Sequence, residues 1–98
     1  MDRAEAIRTL RSHEAELRKL GVRHAALFGS LARDEARPGS DIDILLDIDP
    51  EARISVFDYA GIVDYVRGLF PGKVDIANRQ SLKPHVRPSA ERDAIDAF

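Results

Sequence analysis

The sequence predicts a single α/β (α+β) domain spanning residues 1–98, a small β-sheet packed by helices. Three observations predict it. Three short apolar runs, bounded by Gly, Pro or acidic turn residues, have the length of strands. Around them lie longer stretches whose apolar residues recur at helical spacing. The chain has 98 residues, 44% apolar and 33% charged, which suits one core with little surface to spare.

Residues 2–20 read as a helix. Ile7, Leu10, Leu17 and Leu20 fall on one face, Asp2 and Glu5 lie near the positive N-terminal end, and Gly21 stops it. His13 and Glu14 interrupt the apolar stripe, so one side of this helix is expected to stay wet. Residues 22–28 form the first strand. A brief helix from Ser30 to about Ala36 and a turn through Arg37-Pro38-Gly39-Ser40 follow. Residues 41–47 form the second strand, with Ile42, Ile44, Leu45 and Leu46 as core material. Asp49-Pro50-Glu51 is a loop. Ser55 caps a long helix to about Phe70, with Val56, Ala60, Val63, Val66 and Phe70 at helical spacing. Pro71-Gly72 breaks it, and residues 73–77 form the third strand. In the tail, Pro84 and Pro88 cannot share one regular helix, so residues 89–97 are expected to form a separate short helix capped by Ser89.

Net charge is −2, so no basic field exists to draw in a polyanion, and a sequence-independent nucleic-acid binder is disfavoured. The chain lacks cysteine, which removes disulfides and thiolate metal sites and fits a cytoplasmic location. No apolar run is long enough to span a membrane, and the charged N-terminus is unlike a signal peptide. His13, His24 and His85 lack the spacing of a zinc site.

The chemistry-bearing pattern is Gly29-Ser30, ten intervening residues, then Asp41-Ile42-Asp43. Side chains alternate along a strand, so Asp41 and Asp43 project from one face. Two neighbouring carboxylates repel unless something neutralises them, and a divalent metal does so. Gly29 lets a phosphate approach with no Cβ in the way, while Ser30 offers a hydroxyl and an N–H at the start of a helix. A phosphate cradle beside a metal-binding pair points to phosphoryl or nucleotidyl transfer. Asp75, amid apolar neighbours in a strand expected to lie beside Asp41 and Asp43, is a third carboxylate with no packing purpose of its own.

GSLARDEARPGSDIDILLD resembles the signature of the minimal nucleotidyltransferases of the DNA polymerase beta-like superfamily. ISVFDYAGIVDYVRGLF is similar to the helix that follows in them, and GKVDIANRQSLKPHVR to their third-carboxylate strand, so the likeness covers residues 22–87. It implies a small mixed sheet packed by helices, the polymerase beta-like core. It also implies transfer of AMP from ATP with Mg²⁺, two ions being held by Asp41, Asp43 and Asp75. Asp75 would serve the second ion and act as base toward the incoming hydroxyl. Gly29, Ser30 and Arg33 would contact the triphosphate. The resemblance further implies a partner, a HEPN-type RNase toxin for which such a protein is antitoxin, the acceptor being a toxin tyrosine in a hetero-oligomer. Two departures stand out: Asp34 replaces a small residue, commonly Gly, and Pro88 interrupts an otherwise continuous helix. Two rivals remain: an antitoxin that silences by masking alone, and a small-molecule nucleotidyltransferase. The second is weakened because the chain has no room for another substrate domain.

Overall fold

The computed structural model describes residues 1–35, 37 and 41–98. Helices α1 (Arg3–Ser12) and α2 (Glu14–Leu20) lead into strand β1 (Val22–Phe28) and a short helix α3 (Gly29–Ala32). Strand β2 (Ile42–Ile48), helix α4 (Val56–Arg67), strand β3 (Val74–Asn78), helix α5 (Arg87–Asp93) and strand β4 (Ile95–Asp96) complete the chain. The sheet order is β3-β2-β1-β4. β2 runs antiparallel to β1 and parallel to β3, and β4 is antiparallel to β1, so the sheet is mixed as expected.

Alternate residues of β2 sort to the two faces. Ile42, Ile44, Leu46 and Ile48 join Ala6, Leu10, Leu17, Ala25, Leu27, Ile62 and Val66 in the main core beneath α1, α2 and α4. Asp43, Leu45 and Asp47 face the other way. There Ala26, Leu45 and Ala90 are buried outside the main cluster, with α5 lying against β1 and α3.

Several boundaries differ from the sequence expectation. The first helix breaks at His13, whose ψ of 13° leaves the helical range. Thr9 Oγ1, Ser12 Oγ and His13 Nδ1 all bond carbonyls of the preceding turn, competing with the regular ladder. His13 then meets the edge of Tyr65 at 6.0 Å, tying the break to α4. Leu20, assigned to the buried face, is exposed, and Ala6 takes its place in the core. Ser55 does cap α4, in a reciprocal capping box with Asp58, so Asp58 has a structural task beyond solvation. The inward face of α4 is Tyr59, Ile62 and Val66, with Phe70 beyond the helix end; Val56 and Ala60 are exposed. The expected helix over 89–97 instead starts at Arg87, and Ile95–Asp96 is a strand. Pro88 fits because it occupies the first turn, where an N–H has no intrahelical partner. The α3 helix is shorter than expected. Its assigned end at Ala36, and Pro38, Gly39 and Ser40 of the turn, lie outside the described residues.

Candidate active site

β1 ends at Phe28 and the chain turns at Gly29, whose φ of +71° lies in the left-handed region. Phe28 is paired with Asp43 across the β1–β2 ladder, which sets the turn over that aspartate. A Cβ on Gly29 would stand 3.0 Å from the Asp43 carboxyl carbon and closer still to Oδ2. Only glycine lets the backbone lie this close to the carboxylate. The spacing of Gly29-Ser30 from Asp41-Ile42-Asp43 thus becomes direct contact between the turn and the second aspartate.

The parallel ladder places Asp75 in register with Asp43. Both point away from the main core, as does Asp41 immediately before β2. Asp41 and Asp43 are half-buried and Asp75 is exposed. Burial pushes the Asp43 carboxyl above its ordinary value, and the charges of Asp75 and Asp41 push it further; Arg33 opposes them. Lys73 lies 3.8 Å from Asp41 and offsets part of the charge there. The carboxylates expected from sequence therefore share one acidic face. Their hard oxygen donors and the unfavourable ionisation of Asp43 fit a hard divalent cation such as Mg²⁺. Among the described residues no three His, Cys, Asp or Glu side chains converge on one point, so this is an open face and not a closed cage.

Ser30 lies in the first turn of α3 and is half-buried, and the Glu35 N–H donates to its carbonyl at 2.8 Å. Arg33 follows α3 but is held elsewhere: Nε donates to Glu35 at 3.1 Å and Nη1 to Asp93 at 3.5 Å. It reaches Asp43 through its field, while its hydrogen bonds brace α3 against α5. Asp34 has φ of +60°. A left-handed backbone there explains why a small residue suits this position, and Asp tolerates it better than most side chains.

Sequence reasoning missed Asp47. It lies on the same face as Asp43, is 5% exposed, and holds the far end of β2. Arg23 Nη2 donates to both its oxygens at 3.1 and 3.2 Å, and Gln80 Nε2 bridges it to the Ile48 carbonyl. Arg79 Nη1 stands 3.9 Å away and adds a second positive charge beside it. Burial alone would raise the Asp47 pKa, but the hydrogen bonds from Arg23 and Gln80 and the charges of Arg23 and Arg79 outweigh it and hold it low. The available signal was a third acid two alternations past Asp43 in a run otherwise fit for the core.

Mixed sheet, glycine turn and in-register carboxylates together define a nucleotidyl-transfer fold. The chain belongs to the nucleotidyltransferase domain family, whose profile matches residues 10–97. It is 34% identical over 87 residues to the protein adenylyltransferase MntA of Thermococcus cleftensis, covering 88% of this chain and 86% of that one. A solved structure described as a candidate minimal nucleotidyltransferase superposes with a TM-score of 0.78 at 32% identity, covering 97% of this chain and 95% of the other. A toxin–antitoxin crystal structure with AMP-PNP shares the fold at 15% identity, with a TM-score of 0.69 over 90% of this chain and 72% of that one. No helix among the described residues is long and apolar enough to cross a membrane.

Proposed function

We propose that this chain transfers AMP from ATP to a hydroxyl of a partner protein, a tyrosine of a HEPN-type toxin, and thereby acts as its antitoxin in the cytoplasm. The observation that carries the transfer chemistry is the contact of the Gly29 turn with Asp43, which is itself in register with Asp75. The relative named MntA supports a protein acceptor, and the toxin–antitoxin neighbour supports a toxin partner. Asp41 and Asp43, with Asp75 completing the set, would hold Mg²⁺, which supplies charge neutralisation and Lewis-acid polarisation of the phosphates. The Gly29-Ser30 turn seats the triphosphate beside them, and Arg33 contributes positive charge from the α3 end.

In the reaction the acceptor oxygen bonds to the α-phosphorus, the bond from that phosphorus toward the β-phosphate breaks, and pyrophosphate leaves. Asp75 is the exposed member of the set and takes the hydroxyl proton. The acceptor hydroxyl is presented by another chain, in keeping with the name of the MntA relative, a protein adenylyltransferase. The test is co-expression with the neighbouring gene product and mass spectrometry of both. One AMP on a toxin side chain is expected with the intact protein, and none with Asp41→Asn/Asp43→Asn. A toxin silenced equally well by that double variant, and unmodified, would overturn the reading in favour of masking.

A further inference from the structure

β3 is an edge strand whose outer side is open. In the sheet it has one neighbour, β2. Residues along a parallel strand turn their backbone groups alternately to one side and the other. The Ile42 N–H donates to the Lys73 carbonyl at 3.0 Å, so Lys73, Asp75 and Ala77 turn their backbone toward β2. Val74, Ile76 and Asn78 turn theirs outward. Arg67 Nε donates to the Val74 carbonyl at 3.4 Å, and among the described residues no strand pairs with the N–H and carbonyl of Ile76. Exposed edges are blunted by Pro, Lys or a bulge in many sheets, and Val74–Asn78 carries none of these. On the core side of the sheet a cleft of about 520 Å³ opens between β3 and the start of α4, with Ile48, Ile54, Tyr59, Ile76 and Leu82 among its walls. On the other face of the same strand stands the exposed Asp75.

On the reading that a protein hydroxyl is the acceptor, we propose that the β3 edge docks the acceptor segment itself, which adds beside β3 in extended form as a fifth strand. The occupant is set by what the edge offers. A row of unpaired N–H and C=O groups recognises another extended backbone, where a helix or a flat apolar surface would leave those groups unsatisfied. Side chains paired across two strands share a face, and successive ones alternate. The residue of the segment opposite Asp75 therefore lies on the acidic face, and its neighbour opposite Ile76 points into the cleft. A tyrosine at the first position is long enough to lean across one strand spacing, about 4.8 Å, and bring its hydroxyl to Asp75 and Asp43. The apolar walls of the cleft select an apolar side chain at the second. The chemistry recognised is thus a tyrosine next to an apolar residue in an extended stretch of the partner. One strand then supplies both the proton acceptor and the template that aligns the hydroxyl with it.

Two variants of the full chain test this and leave the carboxylates untouched. Ile76→Pro removes an N–H that the β2–β3 ladder does not use, and Leu82→Glu puts a charge in the wall of the cleft. Both are assayed with the neighbouring gene product as acceptor. The KM for that acceptor should rise about tenfold or more, while the KM for ATP and the melting shift with Mg²⁺ and ATP stay as in the wild type. Hydrogen exchange gives a readout free of chemistry. The amides of Ile76 and Asn78 should become protected when the acceptor is added, in the wild type and in Asp41→Asn/Asp43→Asn alike. Protection with no AMP on the acceptor would keep the docking edge and overturn the transfer reading. Transfer at the wild-type KM in both variants, or unprotected amides in a complex that does transfer, overturns the proposal. So does a second copy of the chain on this edge, seen as a dimer that Ile76→Pro dissociates.

Discussion

Asp43 is the residue on which the site turns, because the fold works against its ionisation. Burial, Asp75 and Asp41 all raise its pKa above the ordinary 3.8. A carboxyl raised by folding stabilises below its ordinary value, and that contribution is lost as pH rises through its folded value. At neutral pH the charged group is a burden, one that a bound cation would relieve. Asp43→Asn should abolish transfer while leaving the metal-free melting temperature unchanged or higher. Its advantage over the wild type should shrink as pH is lowered through the raised folded value and be gone below the ordinary 3.8. Melting curves from acid to neutral pH check this, and full activity of the variant would refute the role of Asp43. Gly29 is coupled to the same residue. Gly29→Ala combines a left-handed backbone with a clash against the Asp43 carboxyl, and should cost at least about 1–2 kcal/mol from the backbone alone. Asp34 shares that left-handed backbone but is exposed. Asp34→Gly should therefore be neutral or stabilising by less than about 1 kcal/mol in urea denaturation, and Asp34→Val destabilising.

Among the elements, β3 is held against β2 by the backbone ladder and by the Asp47 clamp at its exit, where Arg79 and Gln80 reach back from the turn after β3. Breaking a fully buried ion pair costs about 3–5 kcal/mol. Arg23 is 46% exposed, so Asp47→Ala should cost roughly 2–3 kcal/mol in denaturant unfolding. The pH signature is opposite to that of Asp43. Asp47 has a lowered pKa, so its contribution is present above the ordinary 3.8 and is lost as pH falls through its folded value. The gap between Asp47→Asn and wild type should close in acid; a gap independent of pH would mean that packing and not charge holds the clamp. These long-range partners explain which elements could be read from sequence. The strands β1, β2 and β3 announce themselves by apolar runs between turn residues, and the carboxylate pattern needs only alternation along β2. The helical phase of α4 did not, because Val56 and Ala60 match the period as well as Tyr59 and Ile62 do, and only packing separates the two faces. β4 has two residues and exists through pairing with β1, as with Ala97 N–H donating to Ala25 O at 2.8 Å, which no local pattern encodes. Asp47 reads as one more acid until Arg23 and Gln80 are brought to it.

The molecule as a whole is a sheet with two unlike sides. One side is closed by α1, α2 and α4 over the main core, and the other carries α5 and the carboxylates of Asp41, Asp43 and Asp75. This division bears on nucleotide binding. The net charge of −2 offers no general attraction to a triphosphate, and the side that would receive it is acidic. Arg33, the cation facing Asp43, is engaged with Glu35 and Asp93. Without a divalent cation, repulsion between the carboxylates and the phosphates opposes the hydrogen bonds of the Gly29-Ser30 turn, and the charges act over a few ångströms in a partly desolvated site. Under the proposed function the cation would turn the same carboxylates into an anchor. ATP should therefore raise the melting temperature only with Mg²⁺ present. At a free concentration of about 100 Kd, a ligand that binds only the folded state stabilises by about 2.7 kcal/mol, several degrees for a chain of this size. The Mg²⁺-dependent shift should vanish in Asp41→Asn/Asp43→Asn, which keeps Gly29-Ser30 but removes the charge on which the cation depends. Thermal unfolding with ATP in EDTA and in Mg²⁺, for both proteins, decides the matter: equal stabilisation in EDTA would place the nucleotide away from the acidic face.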